Sequence, residues 1–530
     1  SNRSARPQLS HGPEAKRLKN MLDAWEEYLQ PFGVDRRACY SALRRLVDSP
    51  STISSIVEST GLSRRSVEQL IRKLDSSVSI NSQNEYFIGE GVGKDKIVSI
   101  LDAYARRAAD VEHRANDPAT LLQIRKWIRH VPAPKKNLDH VQATPETVLR
   151  RAAWLATEFT LDGRHLAFVG DHDLTSLAVR LVEPACAISV VDIDEELLEY
   201  VHVSQSPLKG AEFQIRYTDL RSSFPADLLR RSDVFVTDPP YTPDGVRLFV
   251  SRGIQSLRSA SGGRGMIAYG FGEQMQSLGL KVQKSIIDLD LVFDQVLKSF
   301  NSYAGAQAIG SRSDWYVLRT TPGSLKRSSR VTGKSERAIY THGSASIESS
   351  LDPIELDAIY RKLNIRQGPR LEPDGAVVSS RESHQGFSFT DLRGMSDSSV
   401  FRRMLDLDVS NLVLLVDNSH PSLQSKTAQD QASSDIAPKY SLKFYRSFPS
   451  NKSAVIHASA ISDEVGSSRW GLLTRSTETL GSRLRESHGQ PDMEGSSRAW
   501  EYLQQEQLVD VRVCDCPISL LRVIKSLLAM

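Results

Sequence analysis

The sequence predicts an α/β protein whose central domain is a doubly wound, mostly parallel sheet. Short apolar segments alternate with helical patterns between Thr144 and Thr321, which indicates strands separated by helices. A helix–turn–helix pattern precedes this region, and a further set of strands and helices follows it. At about 150 residues per domain, the 530 residues leave room for three or four domains.

The composition excludes several classes of protein. Hydrophobic residues make up 40% of the chain and charged residues 25%, as in ordinary globular proteins, which excludes a mainly disordered chain or a coiled coil. No apolar run reaches the roughly 18 residues that a membrane-spanning helix needs, and the polar start Ser1–Ser4 is unlike a signal peptide. The net charge of +3 does not indicate a polyanionic partner. We therefore expect a cytoplasmic protein with no membrane partner.

The cysteines give no sign of a disulfide framework or a metal site. The four of them are too few and too scattered for disulfide pairing, and Cys514 and Cys516 are separated by one residue, which is not a zinc-ligand spacing. Histidines and cysteines do not cluster at ligand spacing anywhere in the sequence. We predict a reduced protein that uses no metal.

Residues 18–92 have the pattern of a winged helix-turn-helix domain, preceded by a flexible basic tail at 1–17. The sequence Thr60-Gly61-Leu62-Ser63 reads as the end of one helix and the start of the next. The predicted recognition helix carries Arg64, Arg65, Arg72 and Lys73, but the net charge of residues 1–80 is only +4, which is mild for DNA binding. We favour a dimerisation or lid role for this domain over DNA binding.

The remaining chain divides into four parts. A helical connector at 93–135 ends at a proline pair, the α/β domain covers 136–321, a linker covers 322–350, and an additional C-terminal α/β domain of unknown role covers 351–530. In the last domain we predict a strand at 412–416, a polar loop at 419–439 and a helix at 520–529. The strands predicted in the central domain are 165–169, 187–191, 213–217, 233–237, 266–269, 291–297 and 315–318.

Acidic residues follow each of the first four predicted strands of the central domain. In such folds ligands bind at the carboxyl ends of the strands. Four acidic strand ends in succession therefore predict one site at this edge. In chain order they are Asp171 and Asp173, then Asp192 and Asp194, then Asp219, and finally Asp238.

The positions of these acids indicate an adenosine-containing ligand. Asp192, after the second strand, can accept hydrogen bonds from both ribose hydroxyls, whereas Asp194 is more simply the N-cap of the next helix. Asp219, after the third strand, can accept the amine of adenine. Gly170 stands alone where a dinucleotide fold has a glycine-rich phosphate loop, and its neighbours are acids that would repel a pyrophosphate. A nucleoside with a cationic tail, such as S-adenosylmethionine or its decarboxylated form, fits better than NAD, FAD or ATP.

The sequence Asp238-Pro239-Pro240-Tyr241 indicates a site for an amine. Neither proline has an N–H to donate, so the backbone carbonyls and the Asp238 carboxylate form a group of hydrogen-bond acceptors. Such a group can hold an amine by its hydrogens and direct its lone pair at an electrophilic carbon. Tyr241 adds an aromatic face for a base or a cation.

Six stretches of the sequence carry a family resemblance. They are 138–147, Gly170-Asp171-His172-Asp173-Leu174-Thr175-Ser176, Val191–Glu195, Thr218-Asp219-Leu220-Arg221, Thr237-Asp238-Pro239-Pro240 and Phe300-Asn301-Ser302-Tyr303. Through them, residues 136–321 resemble the branched-chain polyamine synthases, N(4)-bis(aminopropyl)spermidine synthases, in which a winged helix also precedes the catalytic domain. The resemblance implies a Rossmann-like class I S-adenosylmethionine-dependent transferase fold and transfer of an aminopropyl group from decarboxylated S-adenosylmethionine to a polyamine.

The motifs and the resemblance together give a set of candidate site residues. The first group would orient the amine and relay its proton, the second would bind the nucleoside, and the third would line the acceptor pocket. The groups are Asp171, Asp173, Asp238 and Tyr241; then Gly170, Asp192, Asp219 and Leu220; then His172, Pro239, Pro240, Asn301 and Tyr303.

Two departures from the family leave the acceptor open. The family's loop after the first strand resembles Gly-Asp-Asp-Asp, but here His172 is the middle member, and a largely neutral imidazole attracts a polycation less than a carboxylate does. In addition, the roughly 200 residues after Gly323 lie outside the resemblance. We expect a small-molecule amine or a polyamine as partner, no nucleic acid, and an oligomeric state that the sequence leaves open, a homodimer included.

Three other functions remain as alternatives. The same pocket could serve an S-adenosylmethionine-dependent N-methyltransferase or a 3-amino-3-carboxypropyl transferase, because the sequence does not fix which carbon reacts. A DNA amino-methyltransferase or a DNA-binding regulator would suit the winged helix and the Asp-Pro-Pro-Tyr motif, but the basic charge is mild. A non-catalytic scaffold with a partner-binding C-terminal domain is less favoured because the strand-end acids are intact.

Overall fold

The computed structural model gives the positions of most of the chain in two compact units. The first unit runs to Arg125 and includes Val148–Arg164 and Ala178–Cys186. The second comprises Lys126–Thr147, His165–Leu177 and Ala187–Met530. The residues that the structure describes are 13–74, 77–221, 223–259, 261–305, 310–331, 339, 353–365, 387–393, 398–437, 439–461, 469–474, 478–486 and 493–529.

The N-terminal region consists of helices and one two-stranded antiparallel hairpin. Thr52 and Ser63 cap two of the helices by accepting the backbone N–H groups of Ser55 and Ser66, and Gly61 ends a helix at φ +71°, a conformation that glycine adopts without strain. The helix and strand bounds are α1 (Pro13–Leu29), α2 (Arg37–Asp48), α3 (Ile53–Thr60), α4 (Arg64–Lys73), β1 (Val78–Ile80), β2 (Tyr86–Ile88), α5 (Val92–Asn116) and α6 (Pro118–His130).

This order of helices followed by a hairpin is the order on which the winged-helix prediction rests. The apolar stripe predicted on α4 is buried at Val67 and Leu70, where it joins a core that includes Leu43 and Leu46. The predicted tail differs at its end, because α1 begins at Pro13 rather than after residue 17. Proline is well suited to the first turn of a helix, where its missing N–H costs no hydrogen bond. Residues 1–12 of the predicted tail lie outside the described residues.

The central domain alternates strands and helices, as predicted. Each predicted strand overlaps an observed strand, although several boundaries differ; Asp233, for example, is predicted at the start of a strand that begins at Val234. The elements are β3 (Gln142–Ala143), α7 (Pro145–Glu158), β4 (His165–Val169), α8 (Thr175–Val182), β5 (Ala187–Asp192), α9 (Glu195–Gln205), β6 (Phe213–Tyr217), β7 (Val234–Thr237), α10 (Pro243–Ser256), β8 (Arg264–Tyr269), α11 (Gln276–Ile287), β9 (Leu291–Ala304), β10 (Arg312–Thr320) and α12 (Ser324–Ser328).

The strand order of the central sheet is β6-β5-β4-β7-β8-β10-β9-β3. Strands β6, β5, β4, β7 and β8 are parallel, whereas β10 is antiparallel to both β8 and β9. The chain leaves β4 in one direction towards β5 and returns on its other side at β7. This reversal opens a crevice at the carboxyl ends of β4 and β7, which is where such sheets bind ligands.

The hairpin of β9 and β10 is longer than the sequence predicted. Its strands reach Ala304 and Arg312, whereas the predicted strands are only 291–297 and 315–318. The added part of β9 contains more polar than apolar residues, so a search for continuous apolar strands does not detect it. The longer hairpin brings Asn301 opposite Ser313.

The C-terminal region, called the C-terminal domain below, contains helices and a four-stranded mixed sheet, in the order β11 (Phe387–Asp391), β12 (Asn411–Asp417), β14 (Ser453–Ala460) and β13 (Tyr440–Tyr445). Strand β12 is buried on both faces: Leu412 and Leu414 belong to one hydrophobic core and Val413 and Leu415 to another. The elements are α13 (Pro353–Lys362), β11 (Phe387–Asp391), α14 (Ser398–Asp406), β12 (Asn411–Asp417), α15 (Lys426–Ile436), β13 (Tyr440–Tyr445), β14 (Ser453–Ala460), α16 (Arg469–Thr474), α17 (Leu480–Glu486), α18 (Met493–Gln505) and α19 (Ile518–Ala529).

One sequence prediction in this region was wrong. The stretch predicted as a polar loop at 419–439 contains helix α15, which Ser425 caps by accepting the N–H of Ala428 and which buries Ile436. A polar composition therefore did not exclude a helix with one buried side. The predicted linker at 322–350 contains helix α12, and both Val331 and Ile339 are buried; residues 332–338 and 340–350 lie outside the described residues.

Within the described ranges, none of the helices combines the length and the apolar character needed to cross a membrane.

Candidate active site

The loop after β4 is shaped by its own side chains. Gly170 has φ +75°, and a Cβ there would lie 3.3 Å from the Phe249 ring, so the position favours glycine. The two oxygens of Asp171 accept hydrogen bonds from the N–H and the hydroxyl of Ser176. Asp173 Oδ1 accepts the N–H and the hydroxyl of Thr175, at 3.1 and 2.7 Å. Both acids therefore hold the start of α8, in addition to any contact with a ligand.

His172 differs from its two acidic neighbours, because the loop does not use its polar atoms. The side chain is only 8% exposed, and neither ring nitrogen has a hydrogen-bond partner among the described residues. Its ring stacks on that of His140, with the centroids 4.3 Å apart. Burial and the neighbouring His140 lower the pKa of His172 to about 4, and burial also lowers the pKa of His140 to about 4. Both imidazoles are therefore neutral near pH 7.

The end of β5 presents two acids with different surroundings. Asp192 accepts the backbone N–H groups of Asp194 and Asp171, at 2.8 and 3.2 Å, which joins the ends of β5 and β4. Burial and the nearby Asp194 raise the pKa of Asp192 to about 6. Asp194 is the N-cap of α9, as predicted, and Lys135 Nζ lies 2.7 Å from its carboxylate. Asp192 is therefore the acid of this pair that is better placed for a ligand.

Asp219, after β6, is engaged by a nearby arginine. Arg221 contacts both carboxylate oxygens, with Nε at 2.8 Å from Oδ1 and Nη2 at 2.7 Å from Oδ2. Burial alone would raise the pKa of Asp219, but the Arg221 guanidinium outweighs it and the pKa is lowered. The next residue, Leu220, is buried, and its carbonyl accepts a 2.7 Å hydrogen bond from Arg252 Nε.

The end of β7 carries a connected hydrogen-bond network. Tyr303 donates its hydroxyl to Asp238 Oδ2 at 2.7 Å, and the Tyr241 hydroxyl lies 3.4 Å from Asp238 Oδ1 and 3.2 Å from the Tyr303 hydroxyl. Ser313 Oγ lies 2.8 Å from the Tyr303 hydroxyl and accepts a hydrogen bond from Asn301 Nδ2 at 2.9 Å. Four residues chosen from the sequence, Asp238, Tyr241, Asn301 and Tyr303, are thus brought together.

The negative charge of Asp238 favours the neutral form of Tyr241. Burial and the nearby Asp238 raise the pKa of Tyr241 well above its usual range, so its hydroxyl remains a donor. Pro239 and Pro240 are buried beneath the loop, and Asp238 is half-buried. Thr237 donates its hydroxyl to the Val169 carbonyl at 2.7 Å, which holds the end of β7 beside the end of β4. The Asp238 network and the loop after β4 therefore border the same crevice.

Sequence reasoning missed two residues of this edge. Ser313 lies opposite Asn301 in the register of the β9–β10 hairpin, and the predicted strand at 315–318 begins after it. His140, which stacks on His172, comes from the short segment before β3, where no local pattern indicated contact with the loop after β4.

In the part of the chain that the structure describes, no three His, Cys, Asp or Glu side chains are arranged to hold a metal ion. The use of no metal stays a prediction.

The sheet order and the acidic carboxyl edge define a Rossmann-like fold of the class I S-adenosylmethionine-dependent transferase kind. Residues 120–343 match the family model for the branched-chain polyamine synthase A C-terminal domain. The resemblance predicted from the sequence is therefore confirmed for this segment. The match also extends beyond residue 321, where the predicted resemblance ended.

Two curated proteins are similar to part of this chain. An uncharacterized protein of Methanocaldococcus jannaschii is 36% identical over 206 residues, which are 39% of this chain and 51% of that protein. The N(4)-bis(aminopropyl)spermidine synthase of Thermococcus kodakarensis is 30% identical over 203 residues, 37% of this chain and 56% of that enzyme. The chain thus spans about half the length of these two relatives.

One solved structure can be set beside these sequences. The branched-chain polyamine synthase of Thermus thermophilus, in complex with N4-aminopropylspermidine and 5′-methylthioadenosine, aligns with 57% of this chain and 92% of its own. The sequence identity is 18% and the TM-score 0.35, a likeness too low to support an argument.

Proposed function

We propose that this chain transfers an aminopropyl group from decarboxylated S-adenosylmethionine to an amine, with a small amine or a polyamine as acceptor. The observation that carries the proposal is the Asp238 network, which gathers acceptors for an amine at the strand-order reversal of a transferase fold. The match of residues 120–343 to the polyamine synthase domain supports the same reaction. The name of the Thermococcus relative points to a polyamine acceptor.

The nucleoside would bind at the ends of β5 and β6. Asp192, with its carboxylate beside Gly170, is proposed to accept the ribose hydroxyls. Asp219 and the backbone at Leu220 are proposed to face the adenine, and this role requires Arg221 to share or release the Asp219 carboxylate. A lone glycine in an acidic loop suits a sulfonium nucleoside, because the positive sulfur and amine are attracted by the carboxylates that would repel a phosphate.

The transfer step needs alignment and a neutral amine. The amine lone pair attacks the aminopropyl methylene carbon that is bonded to sulfur. The bond between that carbon and sulfur breaks, and its electron pair makes the sulfur a neutral thioether, so that 5′-methylthioadenosine leaves. Asp238 and the Tyr241 hydroxyl are proposed to orient the amine, with Pro239 and Pro240 supplying carbonyls but no competing N–H. A carboxylate is a poor base for an ammonium near pKa 10, so we assign Asp238 to positioning and proton relay to water.

The acceptor pocket is proposed to include His172, Asn301 and Tyr303. Asp171 and Asp173 use carboxylate oxygens to hold the start of α8, so His172 is the member of this loop whose polar atoms have no partner among the described residues. A neutral imidazole there can accept a hydrogen bond from an amine without adding negative charge. This arrangement favours an acceptor with fewer positive charges than the family's own polyamines.

The test is a transfer assay on the full chain with each donor. Wild-type protein is incubated with decarboxylated or intact S-adenosylmethionine and a series of mono-, di- and polyamines, and products are identified by mass spectrometry. We expect aminopropylated amine and 5′-methylthioadenosine from the decarboxylated donor. Methylated or carboxypropylated products from the intact donor would support the alternative transferases instead.

The Asp238→Asn variant tests the proposed centre. The amide keeps the size of the side chain but removes the charge and one acceptor, so transfer should fall by roughly 10²-fold or more, while calorimetry should show that the affinity for 5′-methylthioadenosine largely survives. Asp244→Asn is the matched control, because it removes an exposed carboxylate from the first turn of the adjacent helix α10. Unchanged turnover in Asp238→Asn would contradict the assignment.

A further inference from the structure

One arginine of the C-terminal domain contacts the edge of the central sheet at which the nucleoside is proposed to bind. Arg402, on α14, is only 4% exposed. Its Nε donates a 2.6 Å hydrogen bond to Glu195 Oε1, and its Nη2 contacts the same oxygen. The guanidinium carbon also lies 4.1 Å from the centre of the Tyr217 ring, within the range of a cation–π contact. One side chain of the C-terminal domain thus contacts both β6 and the start of α9.

Both partners of the Arg402–Glu195 ion pair make further hydrogen bonds. Glu195 Oε2 accepts the backbone N–H of Ile518, at the start of α19, at 2.9 Å. Arg402 Nη1 donates to the carbonyls of Val513 and Cys514, at 3.3 and 3.4 Å, so its own domain holds the guanidinium in place. Two separate segments of the C-terminal domain therefore donate hydrogen bonds to the Glu195 carboxylate.

Glu195 and Tyr217, which Arg402 contacts, are neighbours of the residues proposed to bind the nucleoside. Glu195 is the first residue of α9, three positions after Asp192. Tyr217 lies directly opposite Asp192 in the register of β5 and β6, and it precedes Asp219 by two positions. Movement of Glu195 or Tyr217 would displace the acids proposed to hold the ribose and the adenine.

A second contact supports the same connection. The buried Arg216, also on β6, pairs with Asp227 at 3.0 Å and donates from Nη2 to the carbonyl of Gln507 at 2.9 Å. The C-terminal domain is therefore joined to consecutive residues at the end of β6. A module that served only to bind a partner elsewhere would not require buried charged contacts at this edge.

We propose that Arg402 is a positioning residue for the donor nucleoside, and that the C-terminal domain is thereby a structural part of the donor site. The inference rests on the proposed function only in that the site binds a sulfonium nucleoside or its thioether product. Arg402 acts through Glu195 and Tyr217, without touching the nucleoside. Loss of the link should weaken donor binding while leaving the acceptor pocket beside Asp238 unchanged.

The main test is the double variant Arg402→Met with Glu195→Gln. Removing one partner of a buried ion pair leaves an unpaired buried charge, whereas removing both charges is much better tolerated, and glutamine can still accept the Ile518 N–H. Calorimetric titration of the full chain with 5′-methylthioadenosine should give a Kd about tenfold or more above that of the wild type. The KM for the acceptor amine should stay within about twofold.

Two further proteins make the result decisive. Arg402→Lys keeps the charge but loses the planar fork and its stacking on Tyr217, so its donor Kd should rise by a smaller factor. The control Lys439→Met with Asp408→Asn removes an ion pair inside the C-terminal domain, in which the buried Lys439 Nζ lies 2.8 Å from the partly exposed Asp408, and it should leave the donor Kd unchanged.

The outcomes separate the inference from the function. If the wild type binds 5′-methylthioadenosine and the double variant and Arg402→Lys bind it equally tightly, the positioning role is wrong and the proposed function stands. An equal loss of donor and acceptor affinity, or the same loss in the Lys439 control, would also overturn the role, because it would indicate a general loss of structure. A wild-type chain that bound no such nucleoside would overturn the proposed function and the inference together.

Discussion

The Tyr303 hydroxyl is the group whose removal most directly tests the proposed centre. It lies 2.7 Å from Asp238 Oδ2, 2.8 Å from Ser313 Oγ and 3.2 Å from the Tyr241 hydroxyl. The substitution Tyr303→Phe deletes this oxygen and leaves the buried ring in place. The contact from Tyr241 to Asp238 that remains is longer, at 3.4 Å.

The size of the effect follows from the type of hydrogen bond that is lost. A bond to a charged carboxylate contributes about 1.5–3 kcal/mol. If Asp238 must be held in one orientation to align the amine, most of this energy is lost from the transition state. Since about 1.4 kcal/mol corresponds to a tenfold change in rate, we expect kcat to fall by roughly 10- to 100-fold. The free energy of unfolding should fall by about 1–3 kcal/mol.

The assay compares single-turnover transfer rates and urea unfolding of Tyr303→Phe with those of Tyr269→Phe. Tyr269 is a matched control because it is fully buried, its ring packs against Tyr241 with centroids 5.3 Å apart, and its hydroxyl has no hydrogen-bond partner in the described part of the chain. Its loss should therefore change both quantities little. A transfer rate of Tyr303→Phe within twofold of the wild type, or an equal loss in Tyr269→Phe, would refute the positioning of Asp238 by Tyr303.

Two further predictions concern stability. Because the pKa of His172 is lowered from 6.5 to about 4, the unfolded chain binds a proton between these values that the folded chain does not, so stability falls as pH falls through this window. Between roughly pH 7.5 and 5, the free energy of unfolding should therefore fall by about 2 kcal/mol less in His172→Gln than in the wild type, measured by urea titration. An equal fall in the two proteins would contradict the buried neutral imidazole. Gly245→Ala should lower both Tm and kcat, because its Cβ would lie 2.9 Å from the Pro240 carbonyl and from the Ile339 carbonyl; wild-type values in differential scanning calorimetry and the transfer assay would contradict this close packing.

Much of the central domain could be predicted because its signals are local. The apolar segments of β4, β5 and β7 give continuous buried strands, and each ends at an acid. The N-cap role of Asp194 follows from its position before α9 and is confirmed. The grouping of Asp238 with Asn301 and Tyr303 could be predicted only because a family resemblance joined motifs more than 60 residues apart in the chain.

Other features of the site depend on contacts that no local pattern encodes. The sequence identifies Asp219 as an acid after a strand, but not that Arg221 occupies both of its oxygens. It identifies His172, but not that His140 stacks on it. The loop Asp171 to Ser176 did contain a local signal, since acids followed by threonine and serine suit a helix start, yet its acids were assigned only to the ligand.

The sequence by itself determined the order of strands and helices in the central domain, the acids at its carboxyl edge and the resemblance of residues 136–321 to the branched-chain polyamine synthases. Side-chain periodicity and capping act over a few residues, so these properties can be read along the chain. Only the tertiary structure decided that Ser313 completes the Asp238 network and that Arg402 reaches Glu195 from 207 residues away. Such contacts depend on strand register and on the packing of distant segments, which the pattern of one segment does not contain.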